Sequence, residues 1–306
     1  MSRYFHSRGD KRSRNRLIVF AYRAIALVVL CLYFGIPLFD VYRAMHPHRF
    51  PVGVVTPADL SPEYSEATLT TKDNLTLHGW YVPSENRAAV ILVHAFQGNR
   101  TGTIYHAELL AQHGYGVLMY DTRTQGESEG DLYALGWEDH LDVLAALEFL
   151  QARPEVDPGR IGVLGLSAGA KAALYSASQT EGIAAVVAEG TRWRTFEDQL
   201  LATEPKWYVW IPSEWMAYQF AELACGIRNP TPLHLAVAGI SSTPILLITA
   251  EAELITSRAY FDEISAEKTI WVRDEPGHQV DALFDEPLEY ERRVLGFLDR
   301  ALLRDD

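Results

Sequence analysis

The segment Ala88–Val93 is apolar at all six positions. A strand with no polar face must be covered on both sides, which excludes a half-solvated antiparallel sheet. Five more short β-type runs follow it: Val117–Tyr120, Ile161–Leu166, Ile183–Ala188, Pro244–Thr249 and Thr269–Val272. Helical stretches separate or follow them. These are Tyr105–His113 closed by Gly114, Trp137–Gln151 with apolar residues at helical spacing, alanine-rich Ala168–Ala177, and amphipathic Glu286–Leu303. Strands that alternate with helices predict an α/β fold, a mostly parallel sheet with helices on both faces. Only the opening departs: Ala67–Thr71 and Leu75–Val82 alternate around Lys72-Asp73-Asn74, a hairpin signal. The roughly 240 residues from Ser65 onward suffice for one large domain.

The sharpest chemical signal is Gly165-Leu166-Ser167-Ala168-Gly169, joining an apolar strand directly to an alanine-rich helix. On such a turn a serine adopts a strained backbone, and small residues on either side let strand and helix close around it. Its hydroxyl then projects at the C-terminal edge of the sheet, with a helix N-terminus beneath it to favour developing negative charge. Gly165 and Gly169 are the elbow residues and Ser167 the candidate nucleophile. A serine needs a base oriented by a carboxylate, in the chain order Ser, acid, His. Of ten histidines only His278, in Pro276-Gly277-His278, follows the penultimate strand, so it is the candidate base. The acid is expected after Pro244–Thr249, where Glu251 and Glu253 stand. Glu253, farther into the loop, is favoured, and Glu189 after Ile183–Ala188 is the reserve. An oxyanion hole requires two N–H donors: Ala168, which follows the nucleophile, and Phe96 in the loop His94–Arg100. His94, at a strand end, reads as a packed, hydrogen-bonded histidine. No His-Glu-x-x-His motif or ligand cluster calls for a metal, and no cofactor is expected.

The net charge of −13 argues against a nucleic-acid partner, which needs a basic face. The charge is unevenly placed: residues 1–23 carry seven bases and the single acid Asp10. Residues 1–16 read as a basic cytoplasmic leader and 17–39 as a transmembrane anchor, because Leu17–Phe39 has only Arg23 as a charge. A cleaved signal peptide fits less well: the run exceeds a usual h-region, and no small-x-small site follows Phe39. Residues 40–64, with Pro47, Pro51, Pro57 and Pro62, read as a stiff linker. The expected localisation is a single-pass membrane protein, N-terminus cytoplasmic and catalytic domain extracytoplasmic, attached through the N-terminal helix. Cys31 and Cys225 are the only cysteines and suggest no disulfide framework.

Four landmarks together resemble the α/β-hydrolase superfamily across Ala67–Leu303. They are the loop beginning His94, Asp121-Thr122-Arg123-Thr124-Gln125-Gly126-Glu127-Ser128, the elbow at Ser167, and Gly277-His278 before the last helix. Within it the chain looks similar to BEM46-like proteins with a serine aminopeptidase (S33)-type domain. In such families the first landmark usually reads His-Gly, where Ala95 stands here, and the second has Gly-His, where Thr124-Gln125 stand. The acid is usually Asp, and the resemblance puts Glu253 on that position. The resemblance implies a serine hydrolase, with a carboxylic ester or similar acyl compound as its small-molecule substrate, including a lipid-like one. An S33-type peptidase and a non-catalytic tethered binding protein are the alternatives. The long stretch from 193 to 238 between two strands is expected to be a cap over the site. It holds Trp193, Trp207, Trp210 and Trp215, which either bolt the cap to the core, line an apolar acyl pocket or form a lid that touches the nearby bilayer.

Overall fold

Eight strands form one sheet in the computed structural model, which describes residues 6–59, 63–203, 205–274 and 280–303. They are β1 (Ser65–Thr70), β2 (Thr76–Val82), β3 (Ala89–Val93), β4 (Gly116–Tyr120), β5 (Ile161–Leu166), β6 (Ala185–Glu189), β7 (Ile245–Ala250) and β8 (Lys268–Arg273). Their spatial order is β1-β2-β4-β3-β5-β6-β7-β8. The opening hairpin pairs antiparallel, with Asn74 at φ 66° in its turn. β2 meets β4 antiparallel, and every later pairing is parallel. The expected α/β architecture is therefore the observed one. Every position of β3, β4 and β5 is buried, as strands without a polar face require.

Helices cover both faces. In chain order they are α1 (His6–Met45), α2 (Ile104–Gln112), α3 (Asp139–Gln151), α4 (Ala168–Ala177), α5 (Phe196–Leu201), α6 (Ile211–Cys225), α7 (Leu233–Val237), α8 (Leu254–Glu263), α9 (Ala282–Asp285) and α10 (Pro287–Leu302). One core joins the sheet to Val143 of α3, Ala173 of α4, Leu233 of α7 and Tyr260 of α8. The other joins it to Leu110 of α2 and to Tyr290, Val294 and Leu298 of α10. Helix α8 lacks an apolar stripe in sequence because its buried face is Thr256, Ser257 and Tyr260.

After β3 the chain moves to one side to form β4 and then returns to the other side to form β5. That reversal opens a crevice beyond the carboxyl ends of β3 and β5, the place where α/β sheets bind ligands. Two loops lead into it: the one after Val93, and the elbow after Leu166.

Helix α1 runs unbroken through Phe39 to Met45, so the first residues of the expected linker are helical. Its stretch Ser13–Met45 includes an 18-residue window of mean hydropathy 2.4, none of it buried. By length and composition it is the one helix among the described residues that could cross a membrane. Its last turns are not free-standing. Met45 is buried against Trp137, Tyr218 and Ala221, and its carbonyl accepts the N–H of Tyr133 at 2.9 Å.

Candidate active site

Strand β5 ends at Leu166 and α4 begins at Ala168, so one residue turns the chain. Ser167 does this at φ 53° and ψ −104°. Holding a non-glycine residue in such a region costs of order 1–3 kcal/mol and persists only where the surroundings enforce it. The surroundings are specific. The Ser167 N–H donates to the Glu189 carbonyl at 2.8 Å, pinning the turn to the end of β6. A Cβ on Gly165 would stand 2.2 Å from the Gly169 carbonyl oxygen, and one on Gly169 would stand 2.2 Å from that of Val93. Both elbow glycines are thus demanded by close packing of strand on helix.

Ser167, Ala168 and Phe96 line a common cavity of 650 Å³. The loop that carries Phe96 is fastened from within. His94 is buried, its Nε2 accepts the Thr122 N–H at 3.0 Å, and Nδ1 therefore carries the proton donated to the Ala95 carbonyl at 2.8 Å. Burial lowers its pKa and keeps the ring neutral. The packed, hydrogen-bonded histidine read from the sequence is what the fold contains. Asp121 joins the same loop to its neighbour by accepting the N–H groups of Arg100 (2.7 Å) and Glu127 (2.9 Å). The Phe96 ring stacks on Tyr133 with centroids 5.1 Å apart.

The candidate acids separate by depth. Glu251 is exposed, whereas Glu253, on the short 3₁₀ turn after β7, is 3% exposed. Glu189, at the end of β6, is fully buried, and its Oε1 accepts the Ala282 N–H at 2.9 Å. Both of these buried candidates stand at the C-terminal edge of the sheet. His278 lies outside the described residues.

Sequence reasoning missed several residues that line the cavity. Lys171 is one, and the signal was available, because on α4 it sits one turn after Ser167 and shares its face. Burial pushes its amine down to about 8; Asp139 opposes that shift, while Arg194 and Arg192 reinforce it. Asp40 of α1 and Glu214 of α6 line the same cavity. Burial raises the Glu214 carboxyl and nearby Asp40 adds to this, against a hydrogen bond from Gln199. Nothing local marks Asp40 as a site residue, since its place depends on α1 packing against α6.

An eight-stranded sheet of this order, with a strained serine on the β5–α4 elbow and extra helices between β6 and β7, defines a serine-hydrolase-like member of the α/β-hydrolase superfamily. The X-Pro dipeptidyl-peptidase (S15 family) model matches residues 59–217, and the chain belongs to that family; the matching model is this one and not an S33-type one. The Pyrococcus furiosus esterase Pf2001 superimposes with a TM-score of 0.67 and 28% identity, covering 85% of this chain and 99% of its own. The uncharacterized protein YfhR of Salmonella typhimurium is 30% identical over 175 residues, 55% of this chain and 57% of the relative. The match thus spans little more than half the length of that relative. Thiohydrolase aneE of Aspergillus aculeatus is 34% identical over 118 residues, 37% of each chain.

These comparisons overturn the expected localisation. The match takes up 99% of the Pyrococcus esterase chain, leaving that enzyme no separate spanning segment. The hydrolase fold is complete without one, and a single-pass topology with an extracytoplasmic catalytic domain is withdrawn. The structure adds a physical reason, because the end of α1 packs against Trp137, Tyr218 and Ala221 instead of leading to a detached domain.

Proposed function

We propose that this chain hydrolyses a carboxylic ester, or a similar acyl compound, through an acyl-enzyme on Ser167. The observation that carries the reading is Ser167 itself, held at φ 53° on the elbow and facing a 650 Å³ cavity. His278 takes the Oγ proton as Oγ attacks the carbonyl carbon, and the N–H groups of Phe96 and Ala168 receive the oxyanion. Collapse breaks the C–O bond and His278 returns the proton to the leaving alcohol. Water, activated by the same base, then releases the acid and restores Ser167. Glu253 orients His278 in this reading: it is the buried member of the pair Glu251/Glu253. Ser167→Ala should abolish labelling by a fluorophosphonate probe and lower turnover by about three orders of magnitude or more. A purified Ser167→Ala protein that keeps full activity would remove the nucleophile assignment.

One observation favours a second reading, peptidase action at an N-terminal amine. Asp40 and Glu214 form an acidic pair on the cavity wall, which suits an ammonium group. Cleavage of aminoacyl anilides, lost on Glu214→Gln, would select it over the esterase reading.

A further inference from the structure

A second cavity of 510 Å³ adjoins the one at Ser167. The two share Pro37, Asp40, Arg192, Trp193, Gln199 and Glu214, so they are the two ends of one cleft. At this waist Pro37 is buried, Trp193, Gln199 and Glu214 are half-buried, and Asp40 and Arg192 are exposed. Pro37 and Trp193 give the waist an apolar side, Asp40 and Arg192 stand at its water-facing rim, and Glu214 is a charged group set within it. Beyond the waist the walls are mainly apolar, with Ile36, Phe196, Leu200, Trp207, Trp210 and Ile211 beside the hydroxyl-bearing Thr203. A peptide lying there would bury backbone N–H and C=O groups against mostly apolar walls, at a cost an alkyl chain does not incur.

One wall of this cleft is α1. Val41 and Ala44 face the Ser167 end, Ile36 the far end, and Pro37 both. The helix is held there by Tyr33, whose ring stacks on Trp210 with centroids 5.3 Å apart and planes 17° from parallel. The Tyr33 hydroxyl donates to the Val209 carbonyl. The tryptophans Trp207 and Trp210 are thus not bolts into the core: they are 54% and 36% exposed and line the cleft.

We propose that α1 forms the second wall of the substrate cleft and that the substrate is an ester with an extended alkyl chain. Its carbonyl lies at Ser167 and its chain lodges between α1 and the aromatic cap. This rests on the serine-hydrolase reading above and names the substrate class.

The test is the kcat/KM profile of the full-length protein on p-nitrophenyl acetate, butyrate and octanoate, alongside fluorophosphonate labelling. Each methylene that enters the cleft should raise kcat/KM roughly fourfold, or about three and a half orders of magnitude from acetate to octanoate if all six added methylenes lodge there. Ile36→Trp on α1 and Leu200→Trp on the cap would fill the far end from opposite sides. Both positions are open enough to accept the ring, at 50% and 39% exposed. Each should lower the octanoate-to-acetate ratio by about tenfold or more, since several lodged methylenes are displaced. A flat profile in an enzyme that cleaves acetate overturns the inference and leaves the hydrolase reading standing. So does labelling without turnover of any ester in the series. A ratio lowered by Leu200→Trp but untouched by Ile36→Trp overturns the role of α1. A protein that neither labels nor turns over overturns the hydrolase reading, and the inference with it.

Discussion

Replacing Ser167 by glycine and by alanine separates the chemistry of the elbow from its backbone cost. Either change removes the Oγ nucleophile, and with it any contact the hydroxyl makes, so comparing the two isolates the backbone. At φ 53° and ψ −104° alanine keeps the Cβ strain of serine, whereas glycine does not. Relief of that strain is worth about 1–3 kcal/mol. The greater freedom of glycine in the unfolded chain returns about 0.5–1 kcal/mol of this. Ser167→Gly should therefore be about 0.5–2 kcal/mol more stable than Ser167→Ala. For a domain of this size 1 kcal/mol corresponds to about 2–4 °C, so the glycine variant should melt about 1–8 °C higher. Thermal unfolding of both purified proteins, followed by circular dichroism, measures the difference. A glycine variant that melts at or below the alanine variant would show that the elbow stores no strain, and the main structural argument for Ser167 as nucleophile would fall.

Glu253→Gln should reduce turnover by about two to four orders of magnitude if that carboxylate orients His278, while exposed Glu251→Gln should cost less than tenfold. Steady-state kinetics on a short ester decides this, and a loss seen only in Glu189→Gln would move the role to the end of β6. His106 gives a pH prediction. It is 2% exposed, neither ring nitrogen has a hydrogen-bond partner among the described residues, and burial pushes its pKa from 6.5 down to about 4. The unfolded chain therefore binds the extra proton between those values, so this residue costs nothing above pH 6.5 and removes stability as the pH falls toward 4. The loss approaches roughly 3 kcal/mol, and urea midpoints at pH 7.5 and 4.5 should converge in His106→Phe relative to the parent. An unchanged acid sensitivity in that variant would refute the assignment.

What could be read along the chain was what depends on near neighbours. The elbow was legible because Gly165, Ser167 and Gly169 interact within five residues, and the strand and helix that flank them carry their own periodicity. β3 was legible because burial on both faces removes every polar position from Ala89 to Val93. Helix α8 was not, since it buries hydroxyl-bearing Thr256 and Ser257 and leaves no apolar stripe to read. The identity of the acid was half legible: order along the chain narrowed it to Glu251, Glu253 and Glu189, and burial then set the exposed Glu251 apart from the other two. The role of α1 could not be read at all. Its composition matches an anchor because apolar residues look alike whether they face lipid, solvent or a cap. Only the packing of Met45 under Trp137 and the stack of Tyr33 on Trp210 bring Pro37, Asp40 and Val41 to the serine. Those contacts join residues more than 90 positions apart, and spacing along a chain carries no signal over that distance.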